Sequence, residues 1–183
     1  AYLREQNVRF DITVIPPGTV GGEYIKTKGH YHPPSPSGIG YPELYQVLAG
    51  EAHYLLQRSD LGDIIAVTAK AGEFVLIPPG YGHVTINPWK EKLVMANLVS
   101  VGFTSEYTFY ERMQGGAYYK MKEGGWVQNP HYPAVPPLKV IPAGEVPELG
   151  IRHGRGVYEI VSEKEDLSYL SSPEKIPDRF YKM

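Results

Sequence analysis

The chain has 183 residues, a formal net charge of −2, a pI near 6.3 and no cysteine. That length suits one domain, or one domain with an appendage, and buries a core without needing cross-links. The near-balanced charge leaves no electrostatic footprint for nucleic acid or an anionic membrane, and without thiolates any metal site must be built from His, Asp and Glu. No apolar run approaches the ~20 residues that span a bilayer. The opening AYLREQNVRFD carries charges where a secretion signal needs an apolar stretch, so a soluble cytoplasmic protein is expected. Seventeen prolines beside few Asn and Gln suit a heat-adapted source.

In chain order, runs rich in Val, Ile, Tyr and Thr predict strands over Asp11–Ile15, Glu43–Leu48, Ala52–Gln57, Asp63–Thr68, Phe74–Ile77, Val84–Ile86 and Leu93–Val101. Turn chemistry separates them: PPG at 16–18, GG at 21–22, AGE at 49–51, AG at 71–72, PPG at 78–80 and NP at 87–88. No stretch of this region has the apolar spacing of a long helix. Short strands with regular Gly and Pro punctuation predict an all-β fold, an antiparallel sandwich or barrel, over residues 1–110. From 111 to 183 the chain reads as a short loop-rich extension, packed on the barrel or on a second subunit. Within it, Pro130–Pro147 is expected to be an extended wrapping segment, and 157–170 a strand followed by a short helix.

Two motifs carry chemistry. In His30-Tyr31-His32, residues i and i+2 of a strand face one side, so both imidazoles can meet at a point inside a barrel. Glu43 opens the next strand and can bring a carboxylate to the same place. His-x-His alone fits two solvent-facing histidines equally well. The second motif, Gly72-EFVLI-Pro78-Pro79-Gly80-Tyr81-Gly82-His83-VTI-Asn87, decides between them. Gly72 turns the chain, Phe74–Ile77 is a buried strand, and the Pro78–Gly80 turn delivers His83 onto the returning strand. Asn87 is expected to suit the backbone of the following turn, and Pro88 to stop the strand.

Residues 29–50 and 72–87 resemble the two motifs of the cupin superfamily, which implies a double-stranded β-helix or jelly-roll barrel. The second motif matches at every fixed position. In the first, Glu43-x6-Gly50 keeps the spacing, while the leading Gly is displaced and the ten-residue PPSPSGIGYP separates His32 from Glu43. Residues 13–32, with Thr13-Val14, Pro17-Gly18 and Thr27-Lys28-Gly29-His30-Tyr31-His32, further resemble the archaeal cupin-type glucose-6-phosphate isomerases. Glu43-Leu44-Tyr45, Pro78-Pro79 and His83 continue that likeness, which covers roughly residues 11–107. It implies one divalent metal ion per subunit (iron first; Mn, Ni or Zn by the same donors) held by His30, His32, Glu43 and His83. It also implies a sugar-phosphate pocket lined by Thr13, Thr27, Gly29, Tyr45 and Tyr107, with Glu43 and Tyr45 in catalytic roles, and a homodimer. Counting from His83, a family pocket Tyr falls on Val99 and a pocket His on Ser105.

The expected activity is interconversion of glucose 6-phosphate and fructose 6-phosphate, by enediol proton transfer through Glu43 or by hydride shift; the sequence leaves both routes open. Other readings are a mannose 6-phosphate isomerase, a non-haem iron dioxygenase and a non-catalytic sugar-binding cupin. Lys28 is expected on the outer face and His53 in a plain strand, while His131 and His153 lie in the extension. With basic residues scarce nearby, a phosphate is expected to be held by hydroxyls and backbone N–H groups.

Overall fold

A computed structural model describes residues 1–152 and 154–180. A single turn of helix, α1 (Tyr2–Glu5), leads into β1 (Val8–Ile15), followed by two short strands, β2 (Thr19–Val20) and β3 (Glu23–Tyr24). The body of the barrel is β4 (Glu43–Ala49), β5 (Glu51–Arg58), β6 (Ile64–Lys70), β7 (Phe74–Ile77), β8 (Tyr81–Ile86) and β9 (Leu93–Ser100). Each predicted strand is present, most of them a residue or more longer than the β-rich run that marked it. The largest differences are at β1 and β8, which begin three residues before Asp11 and Val84.

The strands form two facing sheets, one ordered β1-β9-β4-β7 and the other running through β6-β5-β8. Apolar side chains from both inner faces, including Tyr45, Val47, Leu93 and Met95 opposite Ala52, Tyr54, Leu56 and Val67, fill the interior. Alternation places one face of each strand inward, yet β4 and β8 read as nearly continuous buried runs. The chain beyond Ser100 explains this, because it covers the outer faces as well.

That covering is more ordered than the sequence suggests. After α2 (Thr108–Arg112), residues expected to be loop form the hairpin β10 (Tyr118–Met121) and β11 (Gly125–Gln128), which joins β3 and β2 in a third small sheet. The extended segment then supplies β12 (Lys139–Pro142), parallel to β6 at the sheet edge, where prolines are tolerated because one side of the strand needs no donors. Tyr110, Ala117 and Tyr132 pack on Leu55, Ile64, Val84 and Ile86, the outer face of the second sheet.

The expected strand within 157–170 is not there. Instead α3 (Val157–Ser162) and α4 (Ser168–Ser171) lie on the first sheet. Val157 and Ile160 share one side of α3 and are buried with Leu44, Phe74, Ala96 and Leu98, so tertiary burial overrides the β-branched composition of VYEIV. Gln46, a buried polar residue on the outer face of β4, clamps this docking. Its amide donates to the carbonyls of Gly72 (3.2 Å) and Arg155 (2.8 Å), and its oxygen accepts from Val157 N–H (2.7 Å).

Because Ile160 is fully buried between α3 and the sheet, Ile160→Ala should cost about 3 kcal/mol. Urea unfolding should show one transition with a lowered midpoint. A barrel transition left in place, with a separate early loss of helix signal, would contradict a shared core.

Candidate functional site

Three elements deliver the histidines and Glu43. Glu43 is the first residue of β4, opposite Val99 of β9 on one side and Ile77 of β7 on the other. His83 lies on β8 opposite Leu56. His30 and His32 do not sit in a regular strand. Residues 25–32 form a strap beside β8, joined by single bridges: Lys26 to Ile86 and His30 to His83, with Tyr31 reaching Glu106 on the far side.

Between Thr27 and His30 the strap carries one residue more than β8 opposite it. The Thr85 N–H bonds the Thr27 hydroxyl oxygen (2.9 Å) while Thr27 N–H bonds the Thr85 carbonyl (2.8 Å), so a side chain carries the ladder past the irregularity. Gly29 then passes directly against the Tyr110 ring, so closely that any Cβ would collide with it. Gly82 likewise leaves no room beside Tyr31 and Tyr110, whose atoms would stand 2.7 and 2.8 Å from an added Cβ. Thr27 and Gly29 therefore set the strap's position, and neither is among the lining residues of the cavity.

The ten-residue segment between His32 and Glu43 closes on itself. Ser35 N–H bonds the Ile39 carbonyl and Gly38 N–H the Ser35 carbonyl, both at 2.8 Å, and Pro34 bridges to Gly40. Tyr41 stacks on Phe103 with ring centroids 4.8 Å apart, and its carbonyl receives His32 Nδ1 at 2.8 Å. The detour thus returns the chain in time for Glu43 to join the histidines.

The result is a tight convergence. One ligand-type atom from each of His30, His32, Glu43 and His83 lies within 4.8 Å of the others. Two donors ~2.1 Å from a shared ion stand at most ~4.2 Å apart, so a fraction of an ångström of closure would complete the set. The Nε2 atoms of His30 and His32 face each other at 3.2 Å, and Glu43 Oε2 lies 3.4 Å from Nε2 of both His32 and His83. Because a carbonyl only accepts, the Tyr41 contact fixes the His32 proton on Nδ1 and leaves Nε2 with a free lone pair. His30 Nδ1 approaches the Lys28 carbonyl at 3.4 Å in the same sense.

Glu43 is 3% exposed. Its Oε1 accepts a 2.7 Å bond from Asn97 Nδ2, while its buried Oε2 has no donor among the described residues. A buried carboxylate oxygen without a donor, facing imidazole lone pairs, is costly unless a cation completes the site. Burial pushes the His83 imidazole well below its ordinary range, with His30 and His32 adding repulsion, and it lowers His30 too. Both rings are thus neutral and able to coordinate at neutral pH. These four residues could hold a divalent metal ion through nitrogen and oxygen.

A cavity of about 240 Å³ opens onto His30, His32 and Glu43 and is also lined by Thr13, Tyr45, Tyr107, Val99 and Ser105. Tyr45 Oη is 3.2 Å from His83 Nε2, and burial followed by the Glu43 charge raises its pKa well above the ordinary value, so it stays a neutral phenol. The Tyr107 ring lies 5.3 Å from that of His30, and an adjoining cleft of about 680 Å³ shares Ser105 and Tyr107 as its wall.

Sequence reasoning missed three lining residues, Arg9, Asp11 and Asn97. The first two share the face of Thr13 by simple alternation, but starting β1 at Asp11 hid Arg9; Asn97 is the one amide in the apolar run LVMANLVS. Lys28 lies outside and pairs with Glu111. His53 stacks on Trp126 at 5.9 Å and His131 is exposed, both apart from the cluster, and His153 is outside the described residues. Asn87 holds the following turn, its Oδ1 accepting from Trp89 N–H (3.1 Å) and its Nδ2 donating to the Glu91 carbonyl, and, fully buried, it also donates to the Ile15 carbonyl.

A closed pair of antiparallel sheets with a His-x-His strap, a glutamate opening one strand and a third histidine on the opposite sheet defines a cupin. Comparison with known proteins narrows this. A family model described as glucose-6-phosphate isomerase matches residues 1–136, and the chain belongs to that family. It is 34% identical over 104 residues to a glucose-6-phosphate isomerase of Thermococcus litoralis, covering 57% of this chain and 52% of the relative. To one of Thermococcus gammatolerans it is 31% identical over 132 residues, covering 70% and 67%. The chain thus spans about half the length of the first relative and two thirds of the second. A solved oxalate oxidase in complex with substrate analogue glycolate aligns with a TM-score of 0.46 at 19% identity, over 58% of this chain and 49% of that one.

The lowered His30 and His83 pKa values give the metal-free protein a pH signature. Below an unfolded pKa of about 6.5 the unfolded chain takes up protons that the folded rings refuse, so stability falls as pH drops through that value. Denaturant titrations from pH 8 to 5 should show a loss approaching ~1.4 kcal/mol per pH unit from His83, with a further loss in the same direction from His30. A flat profile through pH 6.5 would contradict neutral, buried imidazoles.

Proposed function

We propose that this chain interconverts glucose 6-phosphate and fructose 6-phosphate, using one divalent ion held by His30, His32, Glu43 and His83. The observation that carries the reading is the donor geometry: three imidazoles gathered around a buried Glu43 oxygen that accepts no hydrogen bond, at the floor of a cavity rich in hydroxyls. Family membership supplies the substrate class. We assign iron as the first candidate ion, on an imidazole and carboxylate set that Mn, Ni and Zn also satisfy.

When bound, such an ion supplies Lewis-acid polarisation of the substrate's neighbouring oxygens. The residues supply the rest. Glu43 is the carboxylate at the reacting end of the cavity; Asn97 anchors its Oε1, and the carboxylate would carry a proton between C1 and C2. At 3% exposure that carboxylate is shielded from solvent, so one proton can be returned to the neighbouring carbon without exchange. Tyr45, kept protonated by burial, is a donor to a substrate oxygen, and Thr13 and Tyr107 contribute polar wall. A hydride shift would leave Glu43 with coordination alone. Pairing of two copies is supported by β1, an edge strand whose Ile12 and Val14 are more than half exposed.

A coupled assay of fructose 6-phosphate conversion, before and after chelation and with each metal restored, tests the reading. Activity should vanish with the metal and return with it, and Glu43→Gln should lower kcat about a hundredfold or more without releasing the ion. Fully metal-loaded protein inert on both sugar phosphates would overturn the assignment, and turnover of mannose 6-phosphate or oxygen uptake would redirect it. In heavy water, deuterium at C1 or C2 of product marks the enediol route.

A further inference from the structure

The sequence left a phosphate to hydroxyls and backbone N–H groups, but β1 begins early enough to place a guanidinium at the cavity. We propose that Arg9 is an anion-binding residue at the cavity mouth and takes the phosphate of the substrate, an inference that rests on the sugar-phosphate reading above.

The sheet register sets the geometry. Arg9 pairs with Val99 across β1 and β9, and Val99 pairs with Glu43 across β9 and β4. Directly opposed residues share a face, so Arg9, Val99 and Glu43 form one row, its ends two strand spacings, roughly 10 Å, apart across the sheet. Val99, small and apolar, stands between a carboxylate at the reacting end and a cation at the other. A sugar phosphate has the same polarity: reacting carbons at one end, a dianion at the other.

The guanidinium is held without being used up. Its Nε bonds Asp11 Oδ2 at 2.8 Å, and Asp11 Oδ2 is in turn 3.5 Å from Asn97 Nδ2. The two terminal nitrogens make no hydrogen bond among the described residues, and the side chain is 52% exposed. Asp11 steers Arg9 from the Nε side and leaves the edge that suits bidentate contact with phosphate oxygens. Among the described residues lining the cavity, Arg9 is the one Lys or Arg. Lys28, just outside, is committed to Glu111 and to the Tyr107 ring.

The test compares metal-loaded wild type with Arg9→Met and Arg9→Lys in two measurements. In steady-state kinetics, Arg9→Met should raise KM for fructose 6-phosphate about tenfold or more with kcat within about twofold, and Arg9→Lys should recover part of the loss. In calorimetric titration with inorganic phosphate, wild type should bind more tightly than Arg9→Met by a similar factor. Equal phosphate binding by the two proteins, or a fall in kcat at unchanged KM, overturns the proposal. If wild type fails to isomerise yet loses phosphate affinity on Arg9→Met, the anion site stands and the isomerase reading falls.

Discussion

Bringing four electron-pair donors together in a dry interior is the constraint on which this structure turns. Three imidazoles and one carboxylate gather their electron pairs at one point, so the scaffold must hold them by means other than their own attraction. The Asn97 amide holds one Glu43 oxygen, the Tyr41 carbonyl holds His32, and the Tyr110 and Tyr31 rings press on glycine backbone where the two histidine-bearing segments meet. Asn97 reaches Glu43 from the cavity wall itself, while Tyr41, Tyr31 and Tyr110 are not among the residues that line the cavity. These contacts position the donors where an ion would take them.

That rigidity is borrowed from the part of the chain with the least obvious purpose. Tyr110 comes from α2, and the buried Gln57 ties Tyr31 (2.8 Å) and Tyr132 (3.2 Å) together while its oxygen accepts from Ala117 N–H. The strap that carries His30 and His32 is therefore hydrogen-bonded through Gln57 to residues beyond the barrel. On the opposite sheet, Gln46 does the same for α3. Two buried glutamines on outward faces, one per sheet, attach the covering layer to the barrel at points where an apolar residue would have sufficed for burial alone.

How much of this was legible follows from what each signal encodes. His83 was readable because the Pro78–Gly80 turn fixes its register locally, and the strands because β-branched runs and glycine turns are short-range features. Glu43 was readable as the first carboxylate after the histidines, although the closure of the preceding detour is a matter of backbone bonds that no side chain advertises. Thr27 and Gly29, expected in the pocket wall, also have backbone duties that no local signal shows: one spans an irregular ladder and the other makes room for a ring eighty residues away. Arg9 was missed because charged residues at a strand's start look like the preceding loop. The short helix ending this stretch was expected, but α3 before it was read as a strand because its apolar positions are justified by Leu44, Phe74, Ala96 and Leu98, which are distant in sequence. Local chemistry showed through; long-range cover did not.

The self-closed detour between His32 and Glu43 has an evolutionary corollary. Its backbone bonds run among residues 33–41, and it meets His32 through the Tyr41 carbonyl and through Phe103, on which Tyr41 stacks. Segment length and ligand placement are therefore independent variables. Insertions or deletions at this hairpin can accumulate without disturbing the coordination sphere, which makes it a natural place for relatives to diverge in rim shape while the buried chemistry stays fixed.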